Sequence, residues 1–347
     1  MGSMAFWANL KAELSENPPT AIMNFNLWTQ CGKSRESSFL DIGFVVSNIF
    51  SADKLHFYVP FGEKADVQDL SVLINNTNAI GAIFNEKYSI IDLSETKYLW
   101  PVRDETKEKN AFVIYKWPST ESESAVHVRE NDTCPGLCID IDPRKIESEV
   151  DRLDNAKVAK TDDFYFRFRI NLPTPTESDA LVREYTPANT FLQSTIATTY
   201  IVDFRLNDNR SLPESISNAI FQRTSSFVAI KKLHFLLMTK AFVDVETGTD
   251  ELTIRELELN TWNDYIENKF GTKDIVAYHC AIKAKEGEEP IKQWEFFAKL
   301  KVNNSTVKVA LCYIVVLGLI SVTFNLLSSW LFSLIQSALC HFPEAIG

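Results

Sequence analysis

The chain has 347 residues, of which 45% are hydrophobic and 12% aromatic, and its formal net charge is −11. That length is enough for one or two domains with packed cores, and the composition is that of a folded chain rather than a disordered one. An acidic chain has no global attraction to phosphate backbones, so the charge argues against non-specific nucleic-acid binding. Residues 1–3, before Met4, are interpreted as a remnant of cloning.

Hydrophobic periodicity predicts that residues 4–157 form an N-terminal α+β subdomain. Its predicted strands cover 41–49, 55–59, 79–84, 88–93, 111–117 and 137–141. A helix is predicted over 66–75, with Asp66 as its N-cap. A second helix is predicted to begin at Pro143, because Asp142 before it is a good N-cap and proline suits the first helical position.

Residues 158–304 are predicted to form a second α+β subdomain. Its clearest strand is 164–170, where Phe and Ile side chains face one way while Tyr165, Arg167 and Arg169 face the other. Further strands are predicted at 195–206, 227–238, 252–259 and 274–284, with helices at 213–221 and 262–270. This order is β-α-β-β-α-β, which is the ferredoxin-like arrangement. A last strand is predicted over 291–302.

The segment 305–347 is predicted to be a C-terminal membrane anchor, because residues 309–340 carry no charged side chain. A bilayer core about 30 Å thick needs roughly 20 apolar helical residues, so the run suffices for one span but not for a hairpin. Lys299, Lys301 and Lys308 precede the run, and no Lys or Arg follows it. The positive-inside rule then predicts a single-pass protein with its head in the cytoplasm. We expect the six cysteines to be thiols in that reducing compartment.

The second part of the anchor carries polar side chains at helical spacing, which place a polar stripe along one side of a helix. The stripe consists of Ser321, Asn325, Ser328, Ser329, Ser333, Gln336 and Ser337. One interpretation is that the serines bond to their own backbone while the amides reach the headgroups. The others are that the stripe joins identical helices in a homo-oligomer, or that it lines a water-filled path.

No catalytic residue, cofactor site or metal site is predicted. Cys31-Gly32-Lys33-Ser34 resembles the end of a phosphate-binding loop, but position 27, where the motif needs glycine, is Leu27. Cys134 and Cys138 are weak metal candidates, since they form one ligand pair where a structural zinc site uses two. Asp140 and Asp142 could face one side of a strand as metal ligands, but Asp142 is better explained as the helix cap.

These features predict a membrane-anchored sensor or effector whose transmembrane helix self-associates and perturbs the bilayer, with a protein or small ligand as partner of the head. The head-plus-anchor organisation resembles that of bacterial membrane effectors of antiviral defence, which implies a bacterial inner membrane. One alternative is a passive adaptor or scaffold tethered to the membrane. The other is a membrane-tethered enzyme whose catalytic groups come from distant segments.

Overall fold

The structure is a computed structural model, and it describes most of the chain in separate stretches. The described residues are 2–11, 17–29, 31, 38–74, 83, 89–94, 98–102, 112–117, 124–152, 161–172, 181–185, 197–249, 252–257, 262, 265–266, 273–285, 287–303 and 306–340. The chain divides into two compact units. Residues 1–185 and 199–301 form the first unit, called the head here, and residues 186–198 and 302–347 form the second, the C-terminal unit.

The described residues form a mixed α+β structure dominated by strands, which confirms the predicted fold class. The strands are β1 (Ala5–Leu10), β2 (Thr20–Trp28), β3 (Phe39–Ser47), β4 (Ala52–Val59), β5 (Val67–Asp69), β6 (Ser89–Ser94), β7 (Tyr98–Val102), β8 (Val113–Tyr115), β9 (Val126–Glu130), β10 (Leu137–Ile141), β11 (Phe164–Asn171), β12 (Val182–Tyr185), β13 (Ala197–Leu206), β14 (Ser225–Phe227), β15 (Ala229–Lys240), β16 (Val243–Thr247), β17 (Thr253–Glu256), β18 (Ile275–Lys283) and β19 (Trp294–Asn303). The α-helices are α1 (Pro143–Arg152), α2 (Glu214–Ile220) and α3 (Thr306–Cys340).

The largest sheet has ten strands in the order β17-β18-β15-β2-β3-β11-β8-β7-β6, with β5 pairing beside β8 on β11. The pairs β2–β15 and β8–β11 are parallel, and the other described pairs of this sheet are antiparallel. Strands β2 and β3 come from the first predicted subdomain, whereas β11 and β15 come from the second. The head therefore contains strands of both predicted subdomains side by side.

Two smaller sheets cover one face of the ten-stranded sheet, here called its inner face. The five-stranded sheet, β14-β1-β4-β10-β9, brings Phe6 to within 4.9 Å of Phe44, measured between ring centroids. The four-stranded sheet, β12-β13-β19-β16, brings Phe204 to within 4.7 Å of Phe25. Aromatic rings from facing sheets therefore pack against each other in the core, and their burial helps to stabilise the fold.

Several predicted elements are confirmed, with shifts of a few residues at their ends. Helix α1 begins at Pro143 as predicted, and the Asp142 carboxylate accepts a hydrogen bond from the Arg144 backbone amide at 3.0 Å. Helix α2 buries Ile216 and Ile220. Strand β19 alternates strictly between buried and exposed side chains, as its period-two pattern predicts. Apart from Ile83, which is helical, the predicted strand at 79–84 lies outside the described residues, and so does most of the predicted helix at 262–270.

The predicted helix over 66–75 is wrong. This segment is a short 3₁₀ turn at Lys64–Asp66, strand β5, and a second 3₁₀ turn at Ser71–Leu73. The backbone of β5 pairs with β11 instead of closing helical hydrogen bonds, with Asp69 opposite Phe168. The Asp66 carboxylate accepts a hydrogen bond from the Glu63 amide, so it closes one turn without starting an α-helix.

The predicted ferredoxin-like arrangement is not confirmed, because its strands lie in different sheets. Strand β13 lies in the four-stranded sheet, whereas β15, β17 and β18 lie in the ten-stranded sheet.

At the other end of the chain, Ser3 is fully buried, and its hydroxyl accepts a hydrogen bond from the Asp208 amide. Ser3 is therefore part of the packed structure.

Candidate functional site

A group of charged and phenolic side chains lies buried on the outer face of the ten-stranded sheet, opposite the aromatic core. Asp41 comes from β3, and Tyr165, Arg167 and Arg169 come from β11, while Tyr265 comes from a segment that covers this face. These five residues, called the arginine cluster, are each at most 2% exposed. Strand β11 is therefore buried on both faces, which its alternation of apolar and basic residues did not reveal.

Asp41 is the acceptor at the centre of the cluster. One carboxylate oxygen, Oδ1, accepts from Arg169 Nε at 2.7 Å, and Oδ2 accepts from Arg169 Nη2 at 3.1 Å, so the pair is bidentate. Oδ2 also accepts from the Tyr265 hydroxyl at 2.8 Å. Burial by itself lowers the pKa of Arg169, but the Asp41 carboxylate outweighs it and raises that pKa. The Arg169 guanidinium therefore stays charged in the core.

Arg167 is bonded through all of its side-chain nitrogens. Nε donates to the Tyr265 hydroxyl at 2.6 Å and Nη1 donates to the Tyr165 hydroxyl at 2.9 Å. In the amide orientation that satisfies both its polar atoms, Asn26 accepts from Nη2 at 2.7 Å. Gly43 makes this approach feasible, since a Cβ there would lie 2.8 Å from Arg167 Nη1. A polar strand residue and a glycine on neighbouring strands thus create the space for a buried guanidinium.

Aromatic side chains enclose the cluster. The Arg169 guanidinium carbon lies 3.9 Å from the ring centroid of Phe39, which is cation–π geometry. Trp28 packs on Phe39 and meets Trp262 with 5.8 Å between ring centroids. Burial raises the pKa of the Tyr265 phenol, which keeps it neutral and able to donate to Asp41. Since arginine does not release its proton, the cluster is not an acid–base device. Through the hydrogen bonds of Tyr265, the cluster holds Tyr265 and the neighbouring Trp262 against the sheet.

The cluster is electrically unbalanced among the residues that the structure describes, since two guanidinium groups face one carboxylate. Arg169 Nη1 is buried there without a hydrogen-bond partner. A buried charge without a full set of partners costs several kcal/mol. Removing negative charge from the arginine cluster should therefore destabilise the folded head.

The weak metal candidates lie apart from the arginine cluster. Cys138 is fully buried and Cys134 is half-buried, and both pack against the apolar side of α2. Burial raises the pKa of Cys138 to about 12, which opposes metal binding because the thiolate is the ligand. Among the described residues, no group of three or more His, Cys, Asp or Glu side chains is placed to hold a metal ion.

The Asp140 and Asp142 carboxylates serve other partners. Asp140 accepts hydrogen bonds from Arg129 Nε and shares one with His56 Nδ1, each at 2.7 Å. Burial raises its pKa, but His56 and Arg129 outweigh that effect and lower it. Asp142 caps α1, as the sequence predicts. Neither carboxylate is available as the metal ligand that its spacing could suggest.

The seven residues of the polar stripe all lie on α3, and their side chains are exposed in the isolated chain. At about 100° per residue, Ser321, Asn325, Ser328, Ser329 and Gln336 fall within an arc of about 100°. Ser333 and Ser337 lie further around the helix. The Ser337 hydroxyl donates to the Leu334 carbonyl at 3.2 Å, so it is satisfied within its own helix. No described hydrogen bond satisfies the amides of Asn325 and Gln336.

Sequence reasoning placed Tyr165, Arg167 and Arg169 on one strand face but did not connect them to Asp41 or Tyr265. The available signal was basic residues alternating with large aromatic residues, which is unusual for a solvent-exposed face. No protein-family model matches the chain, and no curated protein matches it either. The functional argument therefore depends on the residues themselves.

Proposed function

We propose that the chain is a single-pass membrane protein that holds its α+β head in the cytoplasm and acts as a sensor or effector through self-association of α3. The length and composition of helix α3 are the observation that supports membrane anchoring. Residues 310–337 are apolar enough and, at 28 residues, long enough to cross a membrane, and none of them is buried. At 1.5 Å per residue they extend over about 42 Å, which exceeds a hydrocarbon core of about 30 Å.

The large apolar side chains of α3 project from all sides of the helix, and the hydrophobic effect opposes leaving them in water. Leu317, Phe324 and Phe332 are 62%, 69% and 69% exposed. A fully exposed helix of this kind is stable in hydrocarbon, where its backbone is satisfied internally. The three lysines just before the run support a cytoplasmic head. The bacterial inner membrane and a role in antiviral defence rest on the architectural resemblance alone.

Self-association is supported by the polar stripe. Amides inside a bilayer usually face a partner or water, because an unpaired amide in hydrocarbon costs several kcal/mol. Gly318 lies on the same arc as Asn325 and Gln336, and an added Cβ there meets no atom of the chain within 4 Å. Small and amide-bearing residues on one arc are typical of helix–helix contacts in membranes.

The test expresses the full chain in bacteria and follows membrane potential with a dye and self-association with in-membrane cross-linking. We expect the wild type to cross-link and to depolarise the membrane. The double variant Asn325→Leu/Gln336→Leu and the variant Gly318→Leu should lose both effects. The matched control is Thr323→Leu, which removes a hydroxyl on the opposite side of α3, where it donates to the Leu319 carbonyl at 2.7 Å.

The outcomes separate the proposal from a passive anchor. If the stripe variants insert and still cross-link like the wild type, self-association through the stripe is refuted. If all variants insert normally and none changes the membrane potential, the chain is an adaptor or scaffold tethered to the membrane.

A further inference from the structure

The outer face of the ten-stranded sheet continues beyond the arginine cluster into a patch of cations. Strand pairing places Asn24 beside Gly43 and His234 beside Asn24, so this patch and the cluster share one face. Five side chains define what is called the cationic patch. They are Lys232 and His234 on β15, His279 and Lys283 on β18, and Arg255 on β17.

The described outer-face residues of these strands are strongly biased in charge. On strands β17, β18, β15, β2, β3 and β11, the described basic residues of the outer face are Arg167, Arg169, Lys232, Lys240, Arg255 and Lys283. Among the described outer-face residues of the same strands, Asp41 is the sole carboxylate. This bias occurs in a chain whose net charge is −11. A local excess of cations in an acidic protein concentrates anions at one place on its surface.

Within the patch, like charges are held directly opposite each other. Lys232 pairs in register with Lys283 across the β15–β18 ladder, an arrangement that is destabilising unless an anion lies between the charges. Lys283 and Arg255 are exposed, and Lys232 is half-buried. The charged ends of Lys283 and Arg255 are therefore accessible to a ligand in solvent, while Lys232 is partly covered by its neighbours.

Two stacked histidines occupy the middle of the patch. His234 Nδ1 and His279 Nε2 are 2.9 Å apart, and the rings are stacked with 5.2 Å between centroids. Burial lowers the pKa of His234 to about 4, with Lys232 and His279 adding to the shift. Burial also lowers the pKa of His279, together with Arg255 and Lys232. The ionisable neighbours that act on both rings are therefore cations.

We propose that the cationic patch binds a small molecule bearing one or two phosphate groups. Phosphate oxygens can accept from Lys232 and from Lys283, which lie directly opposite each other, and the Asn24 amide lies on the strand adjacent to β15. The two lysine charges match the charge of one phosphate group. A long polyanion fits less well, since the rest of the chain is acidic and repels it. The inference deepens the proposed sensor role by giving the head a ligand class.

Binding should be coupled to protonation of the histidine pair. An anion favours the charged form of a neighbouring imidazole, so it raises the low pKa values of His234 and His279. By linkage, the histidine pair contributes affinity that increases as the pH falls from about 7.5 towards about 5.5, measured relative to a variant without the two imidazoles.

The test titrates sodium pyrophosphate into the full chain in neutral detergent, at constant ionic strength, by calorimetry. We expect saturable binding that weakens at least about tenfold in Lys232→Ala and in Lys283→Ala, which is about 1.4 kcal/mol each. Lys299→Ala is the matched control, since it removes the same charge from an exposed position on β19, in a different sheet. It should bind like the wild type. His234→Gln/His279→Gln should bind with a flatter pH dependence.

Several results would overturn the inference. They are the absence of saturable pyrophosphate binding, equal binding by wild type and Lys232→Ala, and displacement of pyrophosphate by sodium chloride at matched ionic strength. An oligonucleotide or phosphatidylglycerol vesicle that binds the patch without competition from pyrophosphate would also overturn it. Because calorimetry does not measure membrane potential, failure here is distinguishable from failure of α3 self-association.

Discussion

Removing the Asp41 carboxylate should destabilise the head more than removing any exposed carboxylate. In Asp41→Asn, the side chain keeps its shape, but the bidentate pair with Arg169 and the charge-assisted bond from Tyr265 are lost. Two buried guanidinium groups then lack a counter-charge among the described residues. Breaking one partner of a fully buried ion pair costs about 3–5 kcal/mol. At roughly 2 °C per kcal/mol for a large domain, the melting temperature should fall by roughly 6–10 °C.

The assay is thermal unfolding of the full chain in detergent, followed by near-ultraviolet circular dichroism. This signal is sensitive to the contact between Trp28 and Trp262, which lies beside the cluster. The matched control is Asp53→Asn, which removes an exposed partner of Arg144 and should cost less than about 1 kcal/mol. A melting temperature for Asp41→Asn within about 2 °C of the wild type would refute the account of the arginine cluster.

Three further perturbations have defined outcomes. Gly136→Ala should lower stability by more than about 2 kcal/mol in a thermal melt, because Gly136 has φ of 97° and a Cβ would collide with the Val59 carbonyl oxygen. Gly287→Ala is the control, since Gly287 has φ of 85° but a Cβ there would meet no atom within 4 Å, and this variant should lose less stability. Equal losses in the two variants would contradict the predicted collision. Gly43→Ala should reduce the Trp28–Trp262 dichroism by displacing the Tyr165 and Arg167 side chains, and an unchanged spectrum would count against this. His234 has a folded pKa of about 4, below its ordinary 6.5, so its contribution to stability is present above pH 6.5 and is lost as the pH falls through 4. After allowance for solvent screening we expect a loss of about 1–2 kcal/mol that His234→Gln lacks, measured as the difference between their urea unfolding curves; parallel pH profiles would refute it.

Local patterns were sufficient for the long apolar helix α3, for α1 and for strands with a clear period. The uncharged run of α3, the Asp142-Pro143 start of α1 and the alternation in β19 each depend on neighbouring residues only. The segment 66–75 misled because its apolar spacing suits a helix, whereas its backbone pairs with β11, a strand about 100 residues later in the chain. Tertiary pairing overrides local preference where a strand partner is available.

The arginine cluster could not be predicted from local sequence because its members are brought together by the fold. Asp41 and Arg169 are 128 residues apart in the chain, and Asp41 and Tyr265 are 224 apart. An alternating strand such as β11 predicts two different faces but does not say whether the polar face meets solvent or another layer. The cationic patch depends likewise on the register of three strands, β17, β18 and β15.

Membrane attachment through α3 is tested most directly by alkaline carbonate extraction of membranes from cells that express the full chain. The account predicts that the wild type stays in the membrane pellet. The variant Leu319→Arg/Leu326→Arg places two charges near the centre of the span, at about 2.5–3.5 kcal/mol each, and should move to the supernatant. Release of the wild type into the supernatant, at the same yield as the arginine variant, would contradict a membrane-spanning anchor.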